Sequence, residues 1–233
     1  MDFMRLLKSL EELLYELVSW LVFYPATMWR TVTRPLSMMR YADLELADRP
    51  EDQYDDTLSP PLFLLITLLL SQALAAALPS IVDPARLAEV ASAGSNLMIA
   101  RGVIFGIYPL CMAVTLLRWK SVKLSRTSLR PPFFSQCFVA APFVFAVGLG
   151  VDLLVLPLQK GMVAGLLVLI VAVAWYGQCQ VRWFVQDLVI GPSKAFGLFL
   201  LAFTLATMLA LGLAVLVSFE FNAVYGHPSP GTA

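Results

Sequence analysis

Two ionisable residues stand inside apolar runs of this chain: Arg101, about four residues into one run, and Asp152, about four residues before the end of the next. A charge in hydrocarbon costs several kcal/mol unless it is paired or hydrated, so such residues either fix packing or line a polar pathway. At about 1.5 Å of rise per residue both lie roughly 6 Å below the same outer surface, and this spacing predicts that they face one another. A second polar group, Gln178, Gln180, Arg182 and Asp187, gathers at the opposite end of a later run. It has the chemistry of an inner gate, and equally that of a helix emerging into the interface. Catalysis has no comparable group. The one histidine, His227, lies in the tail YGHPSPGTA, so Ser-His-Asp or Cys-His chemistry inside the apolar runs has no base, and neither HExxH nor GxxxxGK[ST] occurs. The residues predict no enzyme and no cofactor. Cys111, Cys137 and Cys179 fall in or at the end of apolar runs, without CxxC or metal-ligand spacing, and read as small packing residues.

The elements that must position these residues are set by solvent. With 59% hydrophobic and 14% charged residues over 233 positions and a mean hydropathy of +0.79, the chain belongs in a bilayer. A span needs about 20 mostly apolar residues. Five stretches qualify, near Pro60 to Pro79, Leu97 to Leu117, Pro132 to Leu156, Gly161 to Val181 and Ala195 to Phe219. The expected fold is all-α, a polytopic bundle of five transmembrane helices (59–220) followed by a short outer tail (221–233). Residues 1–25 repeat polar side chains every three or four positions among leucines, which predicts an amphipathic helix lying in the interface and ended by Pro25. Charges scattered through it argue against a cleavable signal peptide. Residues 26–58 read as a linker, first basic, then acidic, with seven carboxylates around Arg49 in DLELADRPEDQYDD.

Charge also sets orientation. Arg118, Lys120, Lys123, Arg126 and Arg130 crowd the loop between the second and third spans, and Arg/Lys excess marks the cytoplasmic side. The N-terminus is therefore expected inside and the C-terminus outside, with short loops pointing to a bacterial inner membrane. No long basic run points to nucleic acid. Pro60-Pro61 and Pro131-Pro132 each read as a helix opening, and Arg118-Trp119 and Arg182-Trp183 as interface anchors. Matched in order, they suggest two hairpins, 57–119 and 128–183, repeated in parallel, with 195–219 as an added span. Gly102 with Gly106 and Gly161 with Gly165 form GxxxG, which permits close helix packing within or between chains and fits a homo-oligomer or a membrane-protein partner as well as lipid.

The run Asp56-Thr57-Leu58-Ser59-Pro60-Pro61-Leu62-Phe63, after an acidic segment and before five spans, resembles the opening of the Yip family of small multi-pass proteins and their bacterial relatives, with Ser59 where that family has glycine. The resemblance implies a non-catalytic membrane protein that organises membranes and binds partners; eukaryotic members act in vesicle trafficking. The residues alone leave a second reading, a small-solute or ion permease that uses Arg101, Asp152 and the inner polar group. Orientation is testable by labelling single cysteines in a chain whose three native cysteines are alanine. Ser125→Cys should react with an impermeant maleimide only from the inner face and Ser92→Cys only from the outer face; the reverse pattern overturns the assignment.

Overall fold

Proline and serine set the limits of the helices. The structure, a computed structural model, describes residues 2–49, 53–77, 94–154 and 159–225. Helix α1 spans Asp2–Thr33 and α2 spans Pro35–Glu45. Between them Arg34 is held out of helical geometry at φ −134°, ψ 57°, because a residue preceding proline clashes with the ring in the helical region. Pro35 then opens α2 where its missing N–H needs no partner.

Helix α1 runs straight through Pro25, where the residue pattern predicts its end. An internal proline forfeits one backbone hydrogen bond and costs about 3 kcal/mol. Packing offsets this. Phe23, Tyr24 and Met28 lie against the core, Thr27 and Thr31 are buried, and the Tyr24 hydroxyl donates to Thr67 Oγ1 at 3.2 Å. Within the expected linker 26–58 the described residues carry helix and side-chain contacts while many of their charges stay exposed. Met38, Met39 and Ala42 of α2 are buried, Arg30 Nη1 donates to Asp56 Oδ2 at 2.8 Å, and the Tyr41 hydroxyl donates to Asp56 Oδ1. The acidic segment thus folds back on the basic one. Partial burial acts to raise the Asp56 carboxyl, but the hydrogen bonds from Tyr41 and Arg30 outweigh it and hold the group below its usual range.

Five further helices follow: α3 (Pro60–Ala77), α4 (Gly94–Trp119), α5 (Arg126–Leu154), α6 (Gln159–Leu188) and α7 (Pro192–Tyr225). Among the described residues four, α4 to α7, are long and apolar enough to cross a membrane, and α3 is a shorter apolar helix of 18 residues. The predicted end of the first span at Pro79 lies outside the described residues. Pro60 does open α3. Pro131 and Pro132 do not open α5, which begins at Arg126. There Ser125 Oγ accepts from the Ser128 N–H at 3.1 Å while Ser128 Oγ accepts from the Ser125 N–H at 2.9 Å, a reciprocal cap that satisfies two otherwise unpaired donors. Helices α3 and α5 therefore open by different means.

Helix α5 is the hub. Every residue from Ser135 to Val144 is buried, because a helix that is apolar on all sides must be covered on all sides. It packs on α6, α3, α4 and α2, with α1 also touching it, and α7 closes the bundle against α4 and α6. Glycine allows the closest approach: a Cβ on Gly165 of α6 would sit 2.7 Å from the Gly150 carbonyl oxygen and 2.9 Å from the Leu154 nitrogen. Gly161, one turn earlier, is buried too. At Gly102 and Gly106 a Cβ would meet nothing within 4 Å, so among the described residues that GxxxG packs against no helix. In detergent, Gly165→Ala should lower the melting temperature, corresponding to about 1–3 kcal/mol of overpacking. Gly106→Ala should leave it unchanged or higher; equal losses at both positions would refute the assigned contact.

Candidate functional site

The inner polar group divides between two faces of α6. Tyr176, Gln180, Trp183 and Asp187, at spacings of four, three and four, share the face turned toward the bundle. Gln178 and Arg182 point the other way, both exposed, into a cleft shared with α1 and α2. Helical geometry separates them, since residues two apart lie on opposite sides of a helix, and the neighbouring helices decide what each side meets.

On the inward face Gln180 Nε2 donates to Gln136 Oε1 of α5, and both amides are fully buried. Gln136 is a lone amide in the buried run of α5, and its counterpart on α6 is what lets it be there. One hydrogen bond does not satisfy two amides. Gln136 Nε2 and Trp183 Nε1 have no hydrogen-bond partner among the described residues, while the Tyr176 hydroxyl and Gln180, one turn apart, have at best each other. Buried groups of this kind cost about 1–3 kcal/mol each, so their clustering marks a site where stability is traded for chemistry or specificity.

The same face opens at its end into a small cleft of about 140 Å³, lined by Asp43, Lys120, Ser135, Trp183 and Asp187 among others. Lys120 Nζ lies 2.8 Å from Asp187 and ties the end of α4 to the end of α6. Arg40 Nη2 donates to Gln186 Oε1 at 2.6 Å and ties α2 to the same turn. Asp43, on α2, stands across the cleft. Desolvation there, reinforced by the Asp187 charge and opposed by Lys120, pushes its carboxyl up to about 6. Asp43 thus holds its proton more tightly than an ordinary carboxyl beside an existing ion pair.

The polar column ends at Tyr176. Its ring stacks on Phe143 at 4.4 Å and 20°, and Phe199, Phe203 and Tyr108 close around them at 5.4–6.3 Å between neighbouring centroids. Rings therefore fill the centre of the bundle directly beyond the amides.

The remaining sequence-derived positions scatter. Arg101 lies in α4, but its side chain falls outside the described residues, and with it the predicted pairing with Asp152, a half-buried residue near the far end of α5. Arg118 and Trp119 are exposed at the end of α4, as interface anchors require. Trp183 is 4% exposed and turned into the bundle, where it lines the cleft of Asp43, Lys120 and Asp187. The three cysteines are buried, and among the described residues no cluster of His, Cys, Asp and Glu could hold a metal ion. Asp43, Lys120 and Gln136 complete the site without a sequence motif. For Gln136 a signal exists, since a single amide in an apolar run demands a facing partner.

No protein-family model, no curated protein and no solved structure matches the chain. Fold and apolar helices define its class as a helical membrane protein, with a buried amide pair and a charged cleft at one end of the described bundle. The amide pair invites a double-mutant cycle. Gln136→Leu or Gln180→Leu alone should cost about 1–3 kcal/mol by orphaning the other amide, while the double leucine variant should recover most of it. Additive losses in thermal melts would show that the two amides do not act as a pair.

Proposed function

We propose that this protein is a non-catalytic, membrane-organising scaffold with five spans, α3 serving as the fifth, and with its N-terminus on the cytoplasmic side of a bacterial inner membrane. The observation that carries this reading is the ring cluster around Phe143 and Tyr176. An aqueous route between α5, α6 and α7 would have to pass through it, and five interlocked rings form a packed core. The cytoplasmic layer supports the same reading. Leu7, Leu10, Leu14, Val18 and Leu21 are exposed along one side of α1, the form taken by a helix that lies in a lipid interface. Helix α2 and the returning acidic segment then make a folded platform on the inner end of the bundle, a surface suited to partner proteins. The Yip-like opening at Asp56 to Phe63 fits such a role, and the uncovered Gly102 and Gly106 suit self-association.

A permease is the second reading, favoured by the unsatisfied amides and by the cleft of Asp43, Lys120 and Asp187 that leads to them. Reconstitution into vesicles separates the two. Proton, potassium and sodium flux from protein-loaded vesicles should equal that from empty ones and should not respond to Gln136→Leu with Gln180→Leu. Saturable flux that falls in this double variant would defeat the scaffold reading in favour of permeation.

A further inference from the structure

The outward face of α6 carries a different chemistry from the inward one. Arg34 and Arg182 line one cleft of about 380 Å³ where the junction of α1 and α2 meets α6, together with Ser37, Trp175 and Gln178. No carboxylate lines it. On the neighbouring surfaces of the same end two cations do hold carboxylates, Arg30 with Asp56 and Lys120 with Asp187. Among the described residues Arg34 and Arg182 pair with none. Arg34 is also the N-cap of α2, whose first turn has no side-chain cap, so the positive end of that helix adds to the two guanidinium groups. Two arginines and the positive end of a helix around one space match the charge of a phosphate.

A dry groove adjoins this cleft. Val32 lines both, and from it Tyr24, Met28, Leu70, Leu74, Phe145 and Ala146 wall a space of about 580 Å³ between α1, α3 and α5. The one hydroxyl in that wall, on Tyr24, is engaged by Thr67. Leu70 and Leu74 lie about 15–21 Å along α3 from its first residue, near the depth of one leaflet's hydrocarbon. Charge at one end and a hydrocarbon-lined channel continuing from it describe a single amphipathic ligand.

We propose that this face holds one anionic phospholipid, with its phosphate between Arg34 and Arg182 and an acyl chain along the groove of α1, α3 and α5. The proposal requires only that the helices lie in a bilayer and is independent of whether the protein is a scaffold or a permease. The full-length protein in dodecyl maltoside would be melted during titration with phosphatidylglycerol, phosphatidylcholine or inorganic phosphate. Phosphatidylglycerol should raise the melting temperature saturably and phosphatidylcholine should not. Arg34→Gln with Arg182→Gln should weaken the response by about tenfold or more, as expected on losing two charge-assisted contacts, while the paired lysine variants keep most of it. Ala146→Trp, which fills the groove and leaves both arginines in place, should weaken it as well. If the glutamine pair does not fold, the comparison of the two lipids on the parent and on Ala146→Trp decides. An equal response to both lipids overturns the proposal, and so does a response to phosphate alone that Ala146→Trp leaves intact, which would mark a free-anion site.

Discussion

In hydrocarbon a polar group that the protein does not satisfy has no water to turn to, and this constraint arranges the molecule around α5. Its run from Ser135 to Val144 is covered on every side. The neighbours that cover it are placed accordingly: α6 and α3 along its flanks, α4 across it, and α1 and α2 over its lower end. Polar side chains gather where this cover meets water. Gln136 and Gln180 are fully buried, each tolerated through the other, and Lys120, Asp187 and Asp43 form a charged rim at the same end.

The same constraint gives α6 two unlike faces. Toward the bundle it presents hydrogen-bonding groups that end against stacked rings. Away from it, Gln178 and Arg182 meet the α1–α2 junction in a cleft with net positive charge. Among the described residues the paired amides and the charged cleft lie at one end of the bundle, and the basic cleft lies on one flank of α6.

Much of the architecture was legible in the residues because bilayer thickness reads directly as run length. The helical class, the apolar runs of α4 to α7 and the proline opening of α3 follow from that one-dimensional rule. What escaped was tertiary. Pro25 obeys local propensity only until the packing of Tyr24, Thr27 and Met28 outweighs it. Ser125 and Ser128 capped α5 five residues before the more conspicuous prolines. The inner polar group was visible as composition, but its division into a buried amide face and a basic cleft depends on what α2 and α5 bring to each side. Trp183 looks like Trp119 in a string of letters, and only the neighbouring helices make one a core residue and the other a surface one.

The α5–α6 hairpin is fastened at two heights: Gln136 against Gln180 near one end, and Gly150 against Gly165 near the other. From Gln136 to Gly150 is fourteen residues and from Gly165 to Gln180 is fifteen, so the fasteners are spaced about 21–22 Å apart on both rods. Sliding either rod by one residue would separate both fasteners together, and rotating either would turn the amide and the glycine away at once. The hairpin is thus keyed against both translation and spin, and whatever rearrangement the protein undergoes must be carried by the helices hung around this rigid pair.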